Sequence, residues 1–242
     1  MTTATAETAE AGTNVKTVAR RHVLKRVLVV TAALILLLAA WVAYDLYAPR
    51  RTSLRRFDPE EVARLDTAMW RSYYSRERVR LFRQLAELLR TQYRLPLWRS
   101  NAVAFRAARA AFVFKDGRSR ADYERALPDL RSFYQSIREV SDTDFDVERA
   151  ARLELEWWIV HRERRTHAPG DLERALAELA AELYGVPAER LAEHARLRAE
   201  AMEIRDTKAE RGGVSEEDWK RIDELLHASW RSLHAAVNSP RQ

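Results

Sequence analysis

Apolar positions fall into two regimes along the chain. Val27 to Tyr44 (VLVVTAALILLLAAWVAY) is an unbroken run in which Thr31 is the one clearly polar residue. From Phe57 onward apolar residues recur at helical spacing between breakers at Leu95-Pro96, Asp116-Gly117, Ser141–Asp146, Pro169-Gly170, Gly185–Pro187 and Gly212-Gly213. This periodicity predicts helices near 59–94, 97–115, 120–140, 145–166, 171–184, 187–210 and 215–237. The apolar face of the first shifts around Ser75–Arg78, so it is kinked there or divided in two. Pro128 on the polar side of the third offers an alternative start. Nothing reads as an alternating β-strand. Loops this short favour antiparallel neighbours. The expected fold is therefore all-α: a single N-terminal transmembrane helix followed by an antiparallel bundle of about six to eight helices.

Start signals agree with the periodicity. In Phe57-Asp58-Pro59-Glu60-Glu61-Val62, Asp58 is placed to cap, Pro59 takes the first helical position, Glu61 closes a capping box and Phe57 staples onto Val62. Val214-Ser215-Glu216-Glu217-Asp218-Trp219 repeats the logic.

The 27–44 run would extend about 27 Å as a helix, enough for the bilayer hydrocarbon. Basic residues precede it, and Trp41, Tyr44 and Tyr47 follow as an interfacial belt. It is apolar on every face, unlike a core helix, and Leu46-Tyr47-Ala48 is a poor signal-peptidase site. Arg20-Arg21-His22-Val23-Leu24-Lys25 resembles the twin-arginine export signal. The apolar run is longer than such signals carry, however, and Ala19 replaces the favoured Ser or Thr, so it reads as a basic flank. The organisation expected is a disordered basic tail at 1–26, a transmembrane helix at 27–44, a basic juxtamembrane linker at 45–56 and the bundle at 57–242. Five Lys/Arg before the run face Arg50, Arg51, Arg55 and Arg56 after it, so the positive-inside rule barely discriminates. A short N-terminal tail usually stays inside, which would put the bundle on the periplasmic side of a bacterial inner membrane.

Composition narrows the function classes. The 242 residues contain no Cys, excluding disulfides, thiolate metal sites and cysteine nucleophiles. The 42 basic and 36 acidic side chains give +6, divided as +2 in residues 1–49 and +4 in the remainder. This reads as a mixed surface, so neither nucleic acid nor a basic membrane-surface binder is expected. Arg outnumbers Lys 37 to 5, which is attributable to a GC-rich bacterial codon pool.

The informative residues are polar ones on apolar faces. Glu154 and His161 lie two turns apart among Val147, Ala150, Ala151, Trp157 and Trp158. Arg198 and Arg205, again two turns apart, interrupt Leu191, Ala195, Ala201 and Met202, with His194 beside them. Asp66 is enclosed by Val62, Met69, Trp70 and Tyr73, and Asn101 sits with Trp98, Phe105, Ala108 and Phe112. The helices carrying Tyr134 and Trp230 look clean. Unpaired burial of a charge costs several kcal/mol, so these groups must find each other, water or a ligand. Asp66 and Glu154 balance Arg198 and Arg205, as an internal ion-pair network requires. The alternative is a polar pocket in which the arginines hold a small anionic ligand and Glu154 and His161 orient it or move a proton.

No motif names a reaction. Glu224-Leu-Leu-His227 is a solitary fragment of the pattern that a di-metal bundle needs twice. Asp142-Thr-Asp144-Phe-Asp146 opens like a calcium loop but has Val147 for the Gly and Leu153 for the Glu, so these acids are expected to cap a helix. There is no phosphate loop and no nucleophile elbow. No cofactor or metal is expected. The chain reads as a membrane-anchored structural or protein-interaction module, with the lipid bilayer as partner through 27–44 and a protein partner or a second copy through the bundle.

Overall fold

A computed structural model describes residues 4–239, and the chain divides into two compact units at Ala48 and Pro49. The first is a single helix, α1 (Ala4–Tyr47). Its His22–Tyr47 portion is long and apolar enough to cross a membrane, with a mean hydropathy of 2.6. The helix starts well before the apolar run and takes in most of the stretch expected as a tail; residues 1–3 lie outside the described residues. Ala, Glu, Lys and Arg are frequent there, and residues added to an existing helix avoid the cost of nucleation.

The second unit is helical throughout its described length, apart from connections. Its elements are α2 (Pro59–Tyr74), α3 (Arg78–Tyr93), α4 (Leu97–Asp116), α5 (Arg120–Glu124), α6 (Leu127–Arg138), α7 (Val147–Arg162), α8 (Asp171–Tyr184), a 3₁₀ turn (Ala188–Leu191), α9 (Ala192–Glu210) and α10 (Glu216–Asn238). The shift at Ser75–Arg78 is a true break. The predicted third helix divides just before Pro128, whose missing N–H is harmless in a first turn. Each longer helix packs on its neighbour in sequence, and α10 returns onto α2 to close the set.

Capping follows the sequence except at Glu61 and in the 142–146 acids, of which Asp146 alone caps while Asp144 pairs with Arg138. Asp58 accepts from the Glu60 and Glu61 amides at 2.9 and 3.3 Å, and Ser215 and Asp218 form a reciprocal box at the start of α10. Glu61 does not close a box on Asp58; it pairs with Arg64, one turn on, at 2.6 Å. Asp146 caps α7 through the Glu148 and Arg149 amides.

Two further features differ from expectation. The segment read as a juxtamembrane linker is built into the bundle from Thr52 onward. Thr52 makes a parallel bridge to Ser141, its amide donating to the Val140 carbonyl at 2.7 Å and its carbonyl accepting from Asp142 at 3.0 Å. Leu54 is fully buried, and Arg55 donates to the Tyr184 carbonyl at 2.7 Å. In α4 the face assigned to the core is the outward one. Phe105 is 58% exposed and Phe112 51%, while Val103, Ala104 and Ala110 are buried. The alanine-rich face lets α3 and α6 approach closely, which leaves the large aromatics outside.

Candidate functional site

The inward polar residues resolve into three groups along α7 and α9. In the first, Asp66 of α2 and Arg198 of α9 form an ion pair, with Asp66 1% exposed and the Arg198 side chain 16%. The Trp230 indole N–H donates to the same Asp66 oxygen at 2.9 Å. The guanidinium carbon of Arg198 lies 5.5 Å from the ring centre of Trp70 and 5.8 Å from that of Trp230. Arg198 is therefore held electrostatically by the carboxylate and by two aromatic faces.

The second group surrounds Glu154 and, among the described residues, contains no directly bonded arginine. Tyr134 Oη donates to Oε2 at 2.6 Å, and Trp158 Nε1 donates to Oε1 at 2.9 Å. Burial pushes the Glu154 carboxyl above its ordinary value, while these donors and the Arg198 charge pull against it. Burial also raises Tyr134 and Tyr93 well above the usual phenol value, and raises Tyr184, which accepts from Gln92, to about 12. The tyrosines stay neutral at any physiological pH, and Tyr134 remains a donor to Glu154.

The third group is nearer the surface. His161 Nε2 lies 3.0 Å from Asp206 Oδ2, close to the carboxylate but not aligned as a hydrogen bond. Arg205 donates to Asp206 Oδ1 at 2.7 Å, and Arg164 stands 3.4 Å from Oδ2. Burial alone would raise Asp206, but the His161 and Arg205 contacts outweigh it and hold the carboxyl at about 2. The Arg205 guanidinium sits 3.1 Å from the ring centre of Tyr74, whose phenol burial lifts to about 12. Arg205 Nε is buried with no hydrogen-bond partner among the described residues.

His194 belongs to none of these groups. Its ring is buried between α9 and α10, with Nδ1 3.0 Å from the Ser229 carbonyl and 2.8 Å from the Ser229 hydroxyl, which donates to the His194 carbonyl at 2.9 Å. Burial, aided by Arg198, holds the ring neutral with a pKa of about 4. Asn101 is also apart, on the outward side of α4, donating to the Leu97 carbonyl of its own helix at 2.7 Å.

The charge balance anticipated from the sequence is thus met differently. Asp66 takes Arg198, but Glu154 takes neutral donors and Arg205 takes Asp206, the next residue in its own helix. The members missed, Tyr134, Trp158, Trp230 and Asp206, include polar tips carried on faces that read as clean. A Tyr hydroxyl or Trp N–H seeks a partner when buried, and that was the available signal.

Among the described residues, a half-open cavity of about 250 Å³ lies elsewhere, beside Arg120, Arg149, Arg152 and Leu155. Its arginines are engaged: Arg120 with Glu156 at 2.8 Å, Arg149 with Glu182 at 3.0 Å and Arg152 with Glu148 at 2.8 Å. No grouping of three or more metal-ligating side chains occurs among the described residues. Comparison with protein-family models, curated proteins and solved structures yields no match to this chain.

Proposed function

We propose that this chain is a bacterial inner-membrane protein, held by α1 as a single-pass anchor, whose bundle serves as a structural or protein-interaction module on the periplasmic side. The observation that supports this reading is the mutual engagement of the inward polar groups. Asp66, Glu154, Arg198 and Asp206 bind neighbouring side chains of the same bundle, which fixes how the helices meet and leaves the outer surface to act. Alkaline carbonate extraction tests the anchor: the chain should stay in the membrane pellet. Protease added to spheroplasts should cut the bundle while leaving cytoplasmic controls intact. Cross-linking in membranes should trap a reproducible partner or a second copy. A strictly monomeric chain with no cross-linked species would overturn the interaction reading.

The orphaned Arg205 Nε supports a second reading, a small anionic ligand at the His161–Arg205 corner. Thermal-shift titration with phosphate and short carboxylates tests it. An Arg205-dependent rise in melting temperature would support that reading, and its absence would remove it.

A further inference from the structure

The balanced charge of the bundle conceals a strong segregation. Residues 76–118, covering α3, α4 and their flanks, hold eleven basic and three acidic side chains, or +8; the rest of 50–242 holds 26 basic and 30 acidic, or −4. All of those cations except Arg99 are exposed. Along α3, Arg80, Arg83 and Arg90 recur at spacings of three and seven residues on one outward side, with the exposed Arg76 and Arg94 just beyond its two ends; Glu77, paired with Arg80 at 3.1 Å, and Glu87 are the acids among them. Arg76 and Arg94 occupy left-handed backbone positions, φ 60° and 54°, where glycine would be less strained. On the same two helices Val79 is 75% exposed, and Phe105 and Phe112 are also exposed. A basic surface carrying outward aromatic and aliphatic side chains has the composition of an interfacial membrane element.

We infer that the α3–α4 hairpin is a second lipid-contacting element, docking on an anionic bilayer surface with its arginines at the headgroups and Val79, Phe105 and Phe112 entering the interface. The inference uses the anchoring in the proposed function, because an anchor keeps the bundle within reach of a bilayer and raises the effective concentration of headgroups. Charge complementarity selects the surface. A +8 hairpin on an otherwise −4 bundle is drawn to anionic lipid on one face and repelled elsewhere. A nucleic acid would also be attracted by the charge, but it gives no use to exposed aliphatic Val79.

The absence of cysteine allows direct placement of reporters in the full chain. Val79→Cys and Ala108→Cys would carry an environment-sensitive fluorophore on the hairpin, and Glu203→Cys would carry it on exposed α9 as control. On vesicles with about 30% phosphatidylglycerol, the two hairpin reporters should shift to the blue and resist iodide quenching, while position 203 stays accessible. Arg83→Glu/Arg90→Glu, or about 0.5 M salt, should weaken this protection at least about tenfold, whereas Arg83→Lys/Arg90→Lys should retain it. Circular dichroism of each variant establishes that helicity is kept. Hairpin reporters as accessible as position 203 on anionic vesicles would overturn the inference. So would protection by duplex DNA but not by vesicles, which would reassign the surface to nucleic acid. If carbonate releases the chain, the reporters still read docking on vesicles added from outside, so failure of the anchor and failure of the hairpin are separate results.

Discussion

The pair of Asp66 and Arg198 shows how a single position can control this bundle. With Asp66 nearly inaccessible, Arg198→Ala leaves a buried carboxylate supported by the Trp230 N–H alone, and unfolding in urea should show a loss of about 3–5 kcal/mol. Asp66→Leu combined with Arg198→Met should cost far less than the sum of the single changes, since it removes both charges together. A pocket reading predicts little loss for Arg198→Ala. His194 supplies a pH signature. Unfolded, its ring gains a proton near pH 6.5; folded, only at about 4. The unfolded chain binds more protons between those values, so acid favours unfolding. The His194 contribution is complete above about pH 6.5 and declines by about 3 kcal/mol as pH falls toward 4. Glu154 acts in the opposite sense above its ordinary value, because its folded pKa is raised. The proper measurement is therefore the difference in denaturation midpoint between the native chain and His194→Gln across pH 4–7, which should widen as pH rises. A constant difference would show that the ring is not titrating as described.

Helices and their ends were the most legible part of the molecule. Ser215 is read from its place before three acids and a Trp, and the structure gives it the full reciprocal box. Ser215→Ala should lower stability by about 1 kcal/mol in thermal melts, with α10 fraying at its start. The break at Ser75–Arg78 was also visible, because an apolar face that changes phase cannot continue on one straight helix. The orientation of α4 was not. Its two faces are both apolar, one of alanines and one of aromatics, and periodicity cannot say which is buried. Close packing against α3 and α6 decided for the small side chains.

At the scale of the whole chain, the boundary of the bundle lies earlier than the first capped helix suggests. Thr52 is bonded to the loop after α6, and Leu54 is sealed in the main core. Leu54→Ala should cost about 2–5 kcal/mol, and a chain beginning at Phe57 should melt below one beginning at Pro49. Equal melting temperatures would return 49–56 to the status of a linker. Local periodicity could not find this because the eleven residues between α1 and α2 form no helix and have no period to read.

The sequence by itself determined the all-α class, the apolar N-terminal helix, the order of the helices and most of their ends, and that Asp66, Glu154 and Arg198 would turn inward; Asn101, read the same way, lies outward, and the buried Asp206 was not read. These properties depend on spacing of a few residues, and spacing is written in the chain. Only the tertiary structure decided the partners: Asp66 with Arg198 across 132 positions, and Glu154 with the hydroxyl of Tyr134. A buried charge fixes that a partner must exist, because leaving it unpaired is too costly. Which group fills that need depends on which helices pack together, because a carboxylate can accept from an indole N–H, a phenol O–H or a guanidinium N–H.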